Sequence, residues 1–128
     1  MKIRILILLF IFSFQSFAQD SEKVLDQKQE KKLIFFSNDG CGKCTVSQNY
    51  FDANGMPYEK LAIKENRPLM YKYVHQKTNG KNRGVGYPVL VYGDSVYFSV
   101  KNLNNTLNEI KQMMIEDGIL DKSEVKSE

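Results

Sequence analysis

Apolar residues along this chain fall in short runs whose spacing alternates between that of strands and that of helices. Leu33-Ile34-Phe35-Phe36 is an apolar run closed by Ser37-Asn38-Asp39-Gly40, which predicts a buried strand ending in a turn. From Cys44 to Asn54 the spacing becomes helical. Val46, Tyr50 and Ala53 share one face there, Phe51 flanks them, and Asn54-Gly55 supplies a C-terminal stop. After the Met56-Pro57 turn, Tyr58 to Ile63 sets Leu61 and Ile63 on one side, as in a second strand. Pro68 suits the first turn of a second helix, with Asn66 as its cap, Leu69/Tyr73 and Met70/Val74 one turn apart, and Asn79-Gly80 as its end. Lys81 to Gly86 is a basic, glycine-containing loop. Val89 to Tyr92 and Val96 to Val100 predict two strands of a hairpin turned by Gly93-Asp94-Ser95. Leu103, Leu107, Ile110 and Met114 then mark the apolar stripe of a last helix. The order β-α-β-α-β-β-α predicts an α/β domain, a four-stranded mixed sheet with helices on both faces.

The ends of the chain follow other rules. Lys2 and Arg4 precede an unbroken apolar run from Ile5 to Phe12, and Ser16-Phe17-Ala18 puts small residues where a signal peptidase reads them. Residues 1–18 therefore read as a secretory signal cleaved near Ala18, with an uncleaved membrane anchor as the alternative. The apolar run falls short of the roughly 20 residues that a bilayer span needs. The mature form is thus expected to be exported, to the bacterial periplasm or the extracellular space, and not to be membrane-embedded. Residues 19–32 are nearly all polar and read as a linker or short helix, residues 33–116 as the domain, and residues 117–128 as a charged tail.

Composition narrows the function classes. Lys2 and Arg4 belong to the signal, and the remaining Lys and Arg exceed the 15 Asp and Glu by one, so the mature chain is close to neutral. The electrostatic footprint of a nucleic-acid binder is absent. The aromatic residues lie within the predicted strands and helices, where they serve a core and not base stacking.

The chain has two cysteines, Cys41 and Cys44, separated only by Gly42-Lys43. A bridge between them closes too short a loop to stabilise the fold by much, which favours redox use over a structural staple. Placed where the first helix opens, Cys41 gains from the helix dipole and backbone N–H groups, both of which stabilise a thiolate. Lys43 adds a positive charge nearby and Asp39 a negative one, and the two oppose each other.

With this motif at a strand-to-helix turn, Tyr87-Pro88 ahead of the third strand, and a hairpin and helix after it, the chain resembles the thioredoxin superfamily, in particular its glutaredoxin-like branch. The resemblance covers residues 32–116 and implies a thioredoxin-like, glutaredoxin-type three-layer fold. It also implies a cis Tyr87-Pro88 bond beside the cysteines, with the Tyr87 backbone and the Gly42-Lys43 pair bordering an extended substrate. The implied activity is thiol–disulfide exchange, with Cys41 attacking and Cys44 resolving, acting on a disulfide-containing protein or small molecule. A further redox partner recycles the pair, and the domain is expected to be a monomer.

Two departures from the family pattern matter. Thioredoxins place a buried acid six residues before the first cysteine, where this chain has Phe35. Glutaredoxins hold Pro-Tyr between the cysteines and a Gly-Gly turn after the fourth strand, where this chain has Gly42-Lys43 and Ser99-Val100-Lys101-Asn102. No cofactor beyond the Cys41/Cys44 couple is expected, and use of glutathione as cosubstrate is expected to be weak.

Outside the motif, His75 reads as a surface residue of the second helix, and Lys77, Lys81 and Arg83 as solvated cations. The alternatives to an oxidoreductase are a thioredoxin-fold module that binds a substrate or protein partner and whose cysteines are inert, or one that captures a soft metal. Two sulfurs alone leave such a metal short of ligands.

Overall fold

The computed structural model describes residues 31–81 and 84–122. The predicted signal and most of the linker, Arg83 and the end of the predicted tail lie outside them. Seven elements follow in the predicted order: β1 (Leu33–Ser37), α1 (Gly42–Ala53), β2 (Tyr58–Ala62), α2 (Ile63–Thr78), β3 (Val89–Tyr92), β4 (Ser95–Tyr97) and α3 (Leu103–Glu116). The sheet order is β2-β1-β3-β4, with β1 parallel to β2 and antiparallel to β3, and β3 antiparallel to β4.

Because β1 and β3 are central and covered on both faces, their alternating side chains feed two cores. Leu33, Phe35, Leu90 and Tyr92 join Phe51 of α1 and Leu107, Ile110 and Met114 of α3 on one face. Phe36, Val89 and Val91 join Ile63, Met70 and Val74 of α2 on the other. Covering β1 on both faces explains why it is an apolar run and not an alternation. Apolar packing continues past α3 to Ile119 and Leu120, at the start of the stretch predicted as a tail.

Three local expectations are corrected. The buried face of α1 is Cys44, Ser47 and Phe51, whereas Val46 is 48% exposed and Ala53 is exposed. Phe51 is fully buried against Phe35 in the core, and Cys44 and Ser47, seven and four positions before it, lie on the same helix face. Helix α2 starts at Ile63, directly after β2, and is broken at Asn66 (φ −121°, ψ 21°). Pro68 lacks an N–H and its ring crowds the carbonyl four residues back, so the first turn cannot continue smoothly into the second. The Asn66 side-chain amide donates to the Ala62 carbonyl across that break, at 2.9 Å. Strand β4 stops at Tyr97 instead of running to Val100, because the chain turns at Ser99, whose φ is +51°. The Asn79-Gly80 stop holds, with both residues left-handed.

A polar latch closes the domain at one end. The Tyr92 hydroxyl donates to Asp117 at 2.7 Å, and the Lys31 ammonium reaches the same carboxylate at 3.1 Å while lying over the Tyr92 ring. Burial, with the Asp117 hydrogen bond and charge adding to it, pushes the Tyr92 phenol well above its usual range. Below about pH 10 the phenol is protonated in both folded and unfolded chains. Above it the unfolded chain ionises first, so this contribution is lost as pH rises. Tyr92→Phe is expected to lower stability at pH 8 by about 1 kcal/mol and to decline less steeply than the parent above pH 10, as read by urea melts across that range.

Candidate active site

The site is built where β1 ends and α1 begins. Ser37 closes the strand, and Gly40 takes φ +69°, a left-handed turn that glycine enters without steric cost and that delivers Cys41 to the helix start. Cys41 is the N-cap of α1 in extended geometry (φ −90°, ψ 105°), and its sulfur accepts the Cys44 backbone N–H at 3.1 Å. The Cys41 carbonyl accepts the Thr45 N–H at 3.2 Å, which starts the helix. A sulfur thus occupies the position that Ser, Thr or Asp usually fills at a helix start, facing N–H groups at the positive end of the dipole.

Cys41 and Cys44 are joined in a disulfide with their Cα atoms 5.2 Å apart. The two sulfurs differ in access: Cys41 is half-buried, whereas Cys44 is 3% exposed and belongs to the core. Behind Cys44 the core is apolar and aromatic. Phe35 packs edge-on against Phe51 at 5.6 Å and Tyr58 at 6.0 Å, so an aromatic cluster stands where thioredoxins keep a carboxyl. Among the described residues the buried polar side chain is Ser47, whose hydroxyl donates to the Lys43 carbonyl at 2.8 Å.

Of the remaining predicted site residues, Gly42 and Lys43 open α1, and Tyr87 and Pro88 lie just ahead of β3. Gly42 is exposed, with open space where a Cβ would stand. Lys43 does not project freely; its ammonium donates to the Val100 carbonyl at 2.9 Å, 57 residues along the chain. The Tyr87-Pro88 bond is cis, as the resemblance implied. Pro88 is buried, and Tyr87 is half-buried and packs against both cores, including the one that holds Cys41 and Cys44.

The segment entering Tyr87 is itself clamped. Ser99 N–H donates to the Gly86 carbonyl at 2.9 Å, and Gly86 N–H donates to the Ser99 hydroxyl at 2.7 Å. A Cβ at Gly86 would lie 3.0 Å from both Ser99 Cα and its hydroxyl oxygen, so the two backbones meet closely and a side chain there would crowd Ser99. Sequence reasoning missed Gly86 and Ser99. The signal available was weak, a glycine one residue before Tyr87-Pro88 and a serine where the last strand fails to continue.

Other candidates fall outside the site. His75 is exposed on α2 beside Tyr71, and the Lys77 ammonium is spent on the Val96 carbonyl at the edge of β4 and on the Tyr97 ring. No group of three or more His, Cys, Asp or Glu among the described residues is arranged to hold a metal ion. No helix among the described residues is long and apolar enough to cross a membrane.

The sheet order, the helices on both faces, the disulfide at the N-terminus of α1 and the cis-proline before β3 define a thioredoxin-like fold of the glutaredoxin type. No protein-family model, curated protein or solved structure matches the chain. A Cys-x-x-Cys disulfide in this fold, with one reachable and one enclosed sulfur, is suited chemically to thiol–disulfide exchange.

Proposed function

We propose that the protein is an exported thiol–disulfide oxidoreductase that reduces disulfides of proteins or small molecules through Cys41 and Cys44. The observation that carries this reading is the asymmetry of the couple: a half-exposed sulfur at a helix N-cap, bonded to a sulfur enclosed in the core. In the reduced protein, the Cys41 thiolate attacks one sulfur of the substrate disulfide. That bond breaks, and the departing substrate thiolate takes a proton from solvent. Cys44, losing its proton, then attacks the Cys41 sulfur, releases the second substrate thiol and leaves the Cys41–Cys44 disulfide. The substrate gains two electrons and two protons, and a dithiol or thiol donor outside the chain must restore the pair. The N-terminal signal pattern supports export to the periplasm or the extracellular space, and the glutaredoxin-like branch is the closer relationship in this reading. The chain is read as acting as a monomer. The absence of glycine from residues 99–102 supports weak use of glutathione.

Limited alkylation of the reduced protein tests the assignment of roles. Cys41 is expected to be modified well before Cys44, as read by peptide mass mapping; equal rates, or faster labelling of Cys44, would remove Cys41 from the attacking role. The reduction potential of the couple tests direction. A value near about −270 mV supports reduction, and one near about −120 mV would make the protein an oxidant.

A further inference from the structure

We infer that Lys43 is a positioning residue of the exchange site, tying the redox turn to Val100 and, through Ser99 and Gly86, fixing where the Tyr87-Pro88 turn stands relative to the disulfide. The inference rests on the proposed exchange activity and adds a residue that sets how an extended substrate meets Cys41.

The path is continuous in hydrogen bonds and chain. At its base the Lys43 backbone is held from inside the protein, because the fully buried Ser47 donates to its carbonyl at 2.8 Å. From that anchored position the side chain crosses to the Val100 carbonyl at 2.9 Å. Val100 follows Ser99, a non-glycine residue at φ +51°, a conformation that costs free energy and persists only where neighbours enforce it. Two neighbours do so. The paired Ser99–Gly86 bonds, at 2.9 and 2.7 Å, hold it from one side, and the Lys43 ammonium holds the next carbonyl from the other. Gly86 is bonded covalently to Tyr87, and the space at its Cα is closed by Ser99 at 3.0 Å, so a shift of the Ser99-Val100 segment is passed to the turn by contact.

The chemistry of the tether fits this role. A charged donor on a neutral carbonyl makes a stronger bond than a neutral pair. A lysine stem also spans between elements that no short side chain joins. Asp39, the acid nearest the motif in sequence, is exposed. A substrate lying along residues 86–88 while its sulfur approaches Cys41 needs both surfaces in fixed register. With the tether cut, that register is no longer set from the redox turn itself.

The test uses the full mature protein with Lys43→Met, which keeps the stem and removes the ammonium, and Lys43→Arg, which keeps a charged donor. Amide hydrogen exchange of Gly86 and Ser99 in the oxidised protein is the first readout, and it does not depend on activity. Lys43→Met is expected to exchange at both amides about five- to tenfold faster than the parent, with Lys43→Arg close to the parent. The second readout is steady-state reduction of a disulfide-bridged reporter peptide. There Lys43→Met is expected to raise KM by a similar factor while kcat changes less, and Lys43→Arg to restore KM. Unchanged exchange at Gly86 and Ser99 in Lys43→Met would overturn the tether. So would a shift in the pH midpoint of Cys41 alkylation that accounts for the whole kinetic effect, since Lys43 would then act through charge alone. A parent that fails to reduce the peptide would remove the proposed activity, and the amide readout would still decide whether Lys43 holds the turn.

Discussion

Cys44→Ser is expected to accumulate covalent adducts with disulfide-containing proteins, joined through Cys41 and released by dithiothreitol, while its turnover falls to the uncatalysed rate. The half-exposed Cys41 sulfur can still attack, because its helix N-cap position does not depend on the Cys44 side chain. Release requires a second thiolate aimed at the Cys41 sulfur, and a serine hydroxyl cannot serve at neutral pH. Cys41→Ser is expected to form no adducts, because the remaining sulfur is enclosed in the core at 3% exposure. Non-reducing gels of both variants after incubation with a mixture of disulfide proteins, followed by mass mapping of the linked peptide, provide the measurement. Adducts on Cys44 in the Cys41→Ser variant would reverse the assignment, and adducts on neither would argue for inert cysteines.

Phe35→Ala is expected to destabilise the fold by about 3–5 kcal/mol. Phe35 is fully buried in the central strand, and its ring meets Phe51 of α1 and Tyr58 of β2 edge-on. Truncation removes the transfer free energy of a large side chain and leaves a cavity bounded by the strand and helix that flank the disulfide turn, where little can collapse. Phe35→Leu should cost less than half as much. Phe35→Asp, which installs a thioredoxin-like acid, should cost more than Phe35→Ala at pH 7, since a carboxylate there is desolvated against aromatic rings. Chemical denaturation at pH 7 ranks the three, and a tolerated aspartate would show that water reaches the back of Cys44.

The order of elements was legible because each rests on local chemistry: an apolar run at β1, the Asn79-Gly80 stop, the Gly93-Asp94 turn and the stripe from Leu103 to Met114. The cysteine pair and Tyr87-Pro88 were legible for the same reason, as short motifs with few alternative readings. What sequence periodicity could not supply was rotation. Val46, Tyr50 and Ala53 make as regular a stripe as Cys44, Ser47 and Phe51, and it is the second that turns inward, with Phe51 packed against Phe35. The kink at Asn66 arises where Pro68 acts on a first turn, opened by Ile63, that the sequence pattern divides between the end of a strand and a cap at Asn66. Contacts between residues distant in sequence were invisible altogether. In sequence Lys43 stands near Asp39, whereas its partner is a backbone carbonyl that no side-chain pattern marks.

The Lys31–Asp117 pair brings the entrance of β1 to the exit of α3, at the opposite end of that helix from the Asn102 cap and the neighbouring Val100. An α-helix of 14 residues spans about 20 Å. The domain therefore has two poles, one that carries the Cys41–Cys44 disulfide and one at which residues 31 and 117 meet. Linkage to a carrier, a surface or a second domain made at residue 31 or 117 engages the pole away from the disulfide. For the same reason, a short splice joining the two ends, with new termini opened at Asn79-Gly80, keeps every strand pairing intact and offers a permuted scaffold for immobilised redox chemistry.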